Sequence, residues 1–281
     1  MAYYNQKHSI SPPKASLLLT TFELPHHLSL VLAGLKRQTA RDFEIIICDD
    51  GSGLETRRLI ENFISTSQIP AKHLWQEHRG FRKCKILNEA IRQARGEILV
   101  FLDGDCIPHK KFILDHIRSQ ETGRYLAGRR VDLSKTISGK LTPEQISAGY
   151  FDFPKHELIL SGLRGETKNL QRSVRISWNW VRCLLKMDRV PDLLGSNFSI
   201  SKEAMQEING FDESYEGYGR EDTDVELRLQ NLGYRIKSMK GLALQFHVWH
   251  PRRIFTPAND EKLTILKQEK RVTCERGLII L

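Results

Sequence analysis

Short apolar runs alternate with longer stretches of helical periodicity through the first 110 residues. Apolar runs of strand length, some with a closing turn, occupy residues 16–22, 43–53, 72–78 and 97–102. Between them, apolar residues recur at helical spacing over residues 26–38, 54–64 and 84–94. Strands that alternate with helices of about a dozen residues form βαβ units around a parallel sheet buried on both faces. The pattern predicts an α/β fold with a Rossmann-like, mostly parallel sheet flanked by helices.

The pattern is looser beyond residue 110. Further strands are predicted within residues 125–134 and 241–251, and a loop, strand and short helix over 192–212. Helices are predicted over residues 220–234 and 259–277, the first of them with the acidic start that helix N-termini favour.

Polar side chains follow three of the predicted strands, at the point where each strand ends. They are Thr20–Thr21, Asp49–Asp50 and the triplet Asp103-Gly104-Asp105. In open parallel sheets, ligands bind beyond the carboxyl ends of the strands. Packing alone explains such a concentration of polar groups poorly, so we expect a binding site at this edge.

The pair Asp103 and Asp105 has two interpretations. Asp-Gly-Asp is common turn chemistry, and an isolated instance favours an ordinary turn. At the end of a buried strand, however, carboxylate oxygens on a short loop suit a hard cation such as Mg²⁺ or Mn²⁺. Such an ion neutralises a diphosphate as a leaving group.

Basic residues cluster between the third strand and the helix after it. A solvated basic face is the default interpretation of such a run. Beside acidic strand ends, Arg82 and Lys85 are candidates for pairing with phosphate or carboxylate groups. Asp50, in the neighbouring turn, is a candidate acceptor for hydrogen bonds from a base or ribose.

Glu221 and Asp222 open the predicted helix at 220–234. Taken alone, they are best explained as acidic residues that complement a helix N-terminus. The alternative is that one of them is a general base, a role worth roughly 10²–10⁴ in rate.

His247 and His250 lie at the end of a predicted strand. Imidazole ligates Mn²⁺, but residues i and i+3 of a strand point to opposite faces. We therefore expect at most one of the two to bind a metal, unless the strand has already ended at His247.

Composition narrows the class of protein. The chain has 281 residues, is 40% hydrophobic, and carries a formal net charge of +9, which favours anionic partners. No apolar run is long enough for a transmembrane helix, and the N-terminus lacks the apolar core of a signal peptide. Five scattered cysteines without a C-x-x-C motif favour a reduced, cytoplasmic chain.

Residues 163–189 are strongly basic. Seven Arg and Lys residues fall within an arc of roughly 100° on an ideal helix, opposite a set of aliphatic residues. One interpretation is a helix that covers the core with a solvated basic face, although Gly165 argues against one unbroken helix. The other is an interfacial helix on an anionic membrane surface, which would place the protein peripherally on the inner face of the membrane.

Five segments together resemble the inverting nucleotide-sugar glycosyltransferases of the GT-A fold in glycosyltransferase family 2. They are residues 17–28, 35–52, 80–108, 195–213 and 217–234. The C-terminal part looks most like the bacterial chondroitin-polymerase and β-1,4-galactosyltransferase type, in which a Gly-aromatic-Gly stretch precedes Glu-Asp. The resemblance implies an inverting hexosyl- or N-acetylhexosaminyltransferase that uses a UDP-sugar with Mn²⁺ or Mg²⁺. Its acceptor would be a glycan or lipid-linked saccharide in polysaccharide, capsule or lipopolysaccharide assembly.

The resemblance also implies roles for individual residues. The nucleotide-sugar would be held by Thr20, Phe22, Asp50, Arg82, Lys85, Asp103 and Gly104. The metal would be bound by Asp105 with Asp103, completed by His247 or, as second choice, by His250. Asp222 would be the catalytic base with Glu221 beside it. The acceptor side would include Tyr218, Asn197 and Trp178.

The same resemblance divides the chain into three parts. Residues 1–110 would form the nucleotide-sugar-binding half, 111–255 the acceptor-binding and catalytic half of the same domain, and 256–281 a C-terminal helix. Two other functions fit less well. A nucleotidyltransferase would need a Gly-rich basic loop after the first strand, which "TTFELPHH" lacks. Nucleic-acid binding, suggested by the charge, conflicts with the acidic strand ends, so we expect no nucleic-acid partner.

Overall fold

A computed structural model of the chain describes residues 11–280. Its strands are β1 (Ala15–Thr21), β2 (Phe43–Asp49), β3 (Ala71–Trp75), β4 (Ile98–Asp103), β5 (Cys106–Pro108), β6 (Arg124–Ala127), β7 (Arg130–Asp132), β8 (Phe198–Ser201), β9 (Arg235–Ser238) and β10 (Gln245–His247). Its helices are α1 (Pro25–Lys36), α2 (Leu54–Thr66), α3 (Lys83–Gln93), α4 (Phe112–Ser119), α5 (Lys135–Lys140), α6 (Pro143–Ser147), α7 (His156–Leu163), α8 (Asn179–Leu184), α9 (Lys202–Glu207), α10 (Glu221–Asn231) and α11 (Ala258–Glu269).

A seven-stranded sheet in the order β3-β2-β1-β4-β8-β6-β9 organises the molecule. The first four strands along the sheet pair in parallel, and β8 enters antiparallel to both of its neighbours. Both faces are buried: Leu17 and Leu19 of β1 join one apolar cluster and Leu18 joins the other. This alternation on a continuous apolar strand confirms the predicted Rossmann-like, mostly parallel sheet.

A second sheet of three short strands, in the order β5-β10-β7, lies beyond the carboxyl end of β4. Strand β10 pairs antiparallel with β5 and parallel with β7. The predicted strand over 125–134 is in fact two strands, because the chain leaves the large sheet after Ala127 and enters the small one at Arg130. The small sheet therefore faces the polar edge of the large one.

The basic segment 163–189 is not one helix, so both helical interpretations of it were wrong. Helix α7 ends at Leu163, Gly165 adopts a left-handed φ of +73°, and a 3₁₀ turn and the short α8 follow. Several of its basic side chains pair within the protein. Arg175, for example, forms a double hydrogen bond to the buried Asp115.

The C-terminal helix is also shorter than predicted. Helix α11 ends at Glu269, and the chain then folds back so that Leu278 N–H donates to the carbonyl of Asn209. Within residues 11–280, every helix is too short or too polar to cross a lipid bilayer.

Candidate active site

A cleft of about 620 Å³ opens where the carboxyl ends of β1, β2 and β4 face the small sheet. Parallel strands deliver their last residues to one edge, so side chains that are distant along the chain meet here. Most of the residues predicted for the site line this cleft: Thr20, Phe22, Asp50, Asp103, Gly104, Asp105, Tyr218, His247 and His250.

Three of them form a compact group of metal-binding side chains. Asp105 Oδ2 lies 3.2 Å from His250 Nε2 and 3.7 Å from His247 Nε2, and the two Nε2 atoms are 3.1 Å apart. Strand β10 ends at His247, so the chain turns and brings both imidazoles to one point. This was the exception under which both histidines can bind.

The hydrogen bonds around the histidines fit a divalent cation. His250 Nδ1 lies 2.7 Å from the carbonyl of Pro251, which can only accept, so Nδ1 carries the proton and Nε2 presents its lone pair. His247 Nδ1 faces Asp132 Oδ1 at 3.4 Å, which leaves its Nε2 free in the same way. Burial raises the pKa of Asp105, but its contacts with the imidazoles of His247 and His250 outweigh this and hold the pKa well below the usual range. One carboxylate oxygen and two imidazole lone pairs therefore converge.

Asp132 is part of the site although sequence reasoning missed it. It stands opposite His247 in the parallel pairing of β7 with β10. Asn169 and Arg130 donate to its two oxygens at 2.9 and 3.0 Å. Burial raises its pKa, but bonds from His247 and Arg130 outweigh this and lower the pKa to about 2. It is thus a fixed anion that orients the His247 ring, and no local sequence signal marks it.

Asp103 lies at the end of β4, next to the end of β1. Thr20 Oγ1 and Lys83 Nζ donate to its Oδ1 at 2.7 and 2.8 Å. Gly104 N–H donates to the carbonyl of Thr20, and a Cβ on Gly104 would lie 2.9 Å from that oxygen. Glycine is required here because β1 and the turn after β4 approach so closely.

Asp50 and Phe22 form the end of the cleft beyond β1 and β2. Asp50 is buried and accepts hydrogen bonds from the side chain of Gln76 and the main-chain N–H of Arg82. The Phe22 ring stacks on the imidazole of His78, with centroids 4.2 Å apart and planes 12° from parallel. An acceptor pair next to flat rings suits a heteroaromatic base.

Of Lys83 and Lys85, only Lys83 lines the cleft. Helix α3 begins at Lys83, whose ammonium group points into the cleft, whereas Lys85 is exposed in a separate cavity beside His73 and Gln93. The prediction for Lys85 was therefore wrong in position by two residues. Arg82 contributes its main chain, because its guanidinium turns to the carbonyl of Glu77.

The carboxylates of Glu221 and Asp222 lie next to Lys83. Asp222 accepts hydrogen bonds from the N–H groups of Gly195 and Thr223 at 3.1 and 2.8 Å. Glu221 Oε1 is 4.0 Å from Lys83 Nζ, and its Oε2 is buried with no hydrogen-bond partner within residues 11–280. Among the described residues, the cleft lining includes Lys83 but neither of these carboxylates.

Lys83 couples the carboxylate of Asp103, in the cleft, to that of the buried Glu221 beside it. Burial lowers the pKa of Lys83, but the carboxylates of Asp103 and Glu221 outweigh it and hold the pKa above its ordinary value. Burial raises the pKa of Glu221, and Lys83 acts in the opposite direction. The ammonium group is therefore a permanent positive charge between them.

Of the three residues predicted for the acceptor side, only one lines the cleft. Tyr218 lines the cleft and is 43% exposed. Asn197 is fully buried, where its amide donates to the carbonyls of Arg129 and Ala243, so it holds the fold together and is not available to an acceptor. Trp178 is 67% exposed but lies outside the cleft lining, immediately before α8. The structure therefore contradicts the prediction for Asn197 and places Trp178 outside the cleft lining.

Comparison with known proteins identifies the family of the chain. Residues 16–175 match the profile described as glycosyl transferase family 2, and residues 185–251 match the one described as N-terminal domain of galactosyltransferase. The chain is 25% identical over 260 residues to the uncharacterized glycosyltransferase YfnE of Bacillus subtilis, covering 85% of this chain and 65% of that one. It is 24% identical over 249 residues to chondroitin synthase of Escherichia coli, covering 83% and 34%.

The fold also matches solved structures. A mannosyltransferase, PcManGT from Pyrobaculum calidifontis in complex with GDP-Man and Mn²⁺, superposes with a TM-score of 0.58 at 18% identity, covering 86% of this chain and 59% of that one. That similarity shows the predicted GT-A fold. The chain spans between about a third and two thirds of the length of the two curated relatives.

Proposed function

The chain belongs to glycosyl transferase family 2, and from that premise we propose a metal-dependent transfer, with inversion, of a hexose or N-acetylhexosamine from a UDP-sugar to an acceptor hydroxyl. The acceptor would be a glycan or lipid-linked saccharide in polysaccharide, capsule or lipopolysaccharide assembly. The observation that carries the proposal is the convergence of Asp105, His247 and His250 in the cleft that also holds Asp103.

The donor would lie across the ends of the parallel strands. Asp50 and Phe22 offer a hydrogen-bond acceptor and a stacking surface to the uracil base. Thr20, Gly104 and Asp103 form the floor on which the ribose and diphosphate would rest. Lys83 adds a fixed positive charge beside the sugar end of that path.

The cation would be Mn²⁺ or Mg²⁺, held by Asp105, His247 and His250. When bound, it supplies positive charge that neutralises the diphosphate of the leaving nucleotide. Mixed carboxylate and imidazole donors suit Mn²⁺ better than Mg²⁺, which prefers oxygen. Asp132 would hold the His247 ring through Nδ1 and leave its Nε2 available to bind the ion.

Asp222 would act as the catalytic base. It takes the proton from the acceptor hydroxyl while the acceptor oxygen bonds to the anomeric carbon and the bond from that carbon to the phosphate oxygen breaks. UDP leaves with the electron pair, and the anomeric configuration inverts. The N–H groups of Gly195 and Thr223 fix the carboxylate, and Tyr218 would form one wall for the acceptor.

A donor screen tests the proposal. UDP-sugars and GDP-sugars are incubated with the protein with Mn²⁺, with Mg²⁺ or with a chelator, and nucleotide release is measured. We expect release from a UDP-sugar that requires the cation. Release that is indifferent to the chelator, or confined to GDP-sugars, would contradict the proposed cofactor or donor.

The base is tested with Asp222→Asn. We expect turnover with an acceptor to fall by about 10²–10⁴-fold with UDP binding unchanged. Asp188→Asn, an exposed aspartate, is the matched control and should keep full activity. A folded Asp222→Asn variant with undiminished turnover would show that another group takes the proton.

A further inference from the structure

Helix α8 and the residues that flank it carry an apolar surface on the outside of the protein. Trp178, Trp180, Leu184 and Leu185, here called the tryptophan patch, are 67%, 71%, 72% and 52% exposed. Four large apolar side chains are thus exposed within eight residues, and such concentrations of apolar exposure mark interaction sites.

Helix α8 buries a charged side chain and exposes apolar ones, the opposite of an ordinary surface helix. Its buried residue is Arg182, which donates to the carbonyls of Ser238 and Lys240 at 2.7 and 3.0 Å. A surface helix usually buries its apolar side and exposes its charges. Here the charged side chain anchors the helix to β9, so the apolar residues are held outward by specific hydrogen bonds.

Helix α7, which precedes the tryptophan patch along the chain, also exposes apolar side chains. Ile159, Leu160 and Leu163 of α7 are 41%, 48% and 79% exposed. In the part of the chain that the structure describes, residues 153–190 contain ten of the 21 exposed large apolar side chains. This concentration in 38 residues distinguishes the segment from the scattered apolar exposure of ordinary surfaces.

Positive charge gathers next to the residues that anchor α8. Lys240, whose carbonyl anchors Arg182, has a pKa lowered by burial and by the nearby Arg129, Arg172 and Arg189. Its ammonium group donates to the carbonyl of Arg189. Four cations within electrostatic reach of one another, with Asp188 as a counter-charge, attract an anionic partner.

The combination favours a lipid surface over a second copy of the chain. Two copies joined through this face would bring the same cationic groups together, at a cost in like-charge repulsion. An anionic bilayer accepts both features, because Trp residues settle at its interface and basic residues are drawn to its headgroups.

We propose that the tryptophan patch docks the protein on membranes that contain anionic lipid. The proposal differs from an interfacial helix at 163–189: contact is made by outward-facing apolar side chains of a short, anchored helix and is strengthened by the adjacent cations. It is independent of the glycosyltransferase reaction, which is measured with soluble substrates.

Vesicle sedimentation tests the proposal. The protein is mixed with phosphatidylcholine vesicles or with mixed phosphatidylcholine–phosphatidylglycerol vesicles, at low and high salt. We expect binding to the mixed vesicles that falls with salt and is much weaker with phosphatidylcholine alone. Each charge removed by Lys186→Gln or Arg189→Gln should weaken binding about fivefold. Negligible binding to both vesicles, or equal binding to both, overturns the proposal.

Matched variants locate the contact. Leu184→Ser/Leu185→Ser should weaken vesicle binding by about tenfold or more, since apolar burial drives it. Leu54→Ser/Ile279→Ser removes two side chains that are each 62% exposed elsewhere and should leave binding unchanged. Equal binding by both variants overturns the assignment, as does a dimer in solution that Leu184→Ser/Leu185→Ser abolishes.

A second measurement does not depend on the folding of those variants. Tryptophan fluorescence of the unmodified protein should be quenched by brominated phosphatidylcholine in the mixed vesicles. Trp178→Phe/Trp180→Phe should remove most of this quenching, whereas unchanged quenching would place the membrane contact elsewhere and refute the proposal.

Discussion

Replacement of Lys83 by Met tests whether the ammonium group of Lys83 stabilises the fold and supports UDP binding. The change removes the ammonium group but keeps an unbranched apolar stem in α3. Asp103 in the cleft and the buried Glu221 beside it then lack the cation between them. We expect the variant to be less stable and to bind UDP more weakly, because the carboxylates repel one another and the diphosphate.

The distances set the magnitude. Lys83 Nζ lies 2.8 Å from Asp103 and 4.0 Å from Glu221. At an effective dielectric constant of about 20, unit charges at these separations attract by about 6 and about 4 kcal/mol. Desolvation cancels much of this, and removal of one partner of a buried pair costs about 3–5 kcal/mol. Because the Asp103 side chain is 25% exposed, we expect the lower end, about 3 kcal/mol.

Urea denaturation of Lys83→Met and of Lys85→Met provides the assay. A loss of about 3 kcal/mol lowers the urea midpoint by about 1 M when the m-value is about 3 kcal/mol/M. Lys85 is exposed outside the cleft, so its replacement should change stability by less than about 0.5 kcal/mol and leave UDP binding intact. A stable Lys83→Met that binds UDP normally, or a Lys85→Met that does not, would refute the reasoning.

Two further predictions concern metal affinity and acid stability. Asp132→Asn should weaken Mn²⁺ binding by about 10–100-fold, because His247 loses its anionic partner. The electron paramagnetic resonance signal of free Mn²⁺ measures this affinity. An unchanged affinity would exclude the role of Asp132 in orienting His247. Burial lowers the pKa of His116 from 6.5 to about 4, so the unfolded chain binds more protons between these values and stability falls as pH falls through this interval. The loss amounts to about 3 kcal/mol from pH 7 to pH 4. Glutamine at position 116 should reduce this dependence in urea titrations, and an equal loss in His116→Gln would assign it to other groups.

The large sheet and the polar residues at its edge could be predicted from the sequence. Hydrophobic periodicity and the polar residues that end each strand are local properties of the chain. Leu17 to Thr20 form an apolar run that ends in polar residues, and parallel pairing brings such ends together. Lys83 and Lys85 could not be distinguished in this way. Which of them faces the cleft depends on the residue at which α3 begins, and hydrogen bonding in the folded chain determines that residue.

The errors beyond residue 110 have a different physical origin. A helical projection of residues 163–189 assumes one unbroken helix, and the left-handed backbone of Gly165 breaks it. Asn197 is of a residue type that often binds ligands, but its amide group donates hydrogen bonds to buried carbonyls instead. Asp132 became identifiable only through the register of β7 with β10. For Asn197 and Asp132, a partner distant in sequence decides the role.

The small sheet also links the site to the order in which the chain folds. Asp105 and His247 are 142 residues apart, 247 minus 105, and meet only because β5 pairs with β10. Closing so long a loop carries an entropic cost that local pairing in the large sheet does not. An ion bound there at 100 times its dissociation constant would add about 2.7 kcal/mol to the folded state. The cation would thus stabilise the pairing of β5 with β10. Its removal would destabilise the small sheet before the large one.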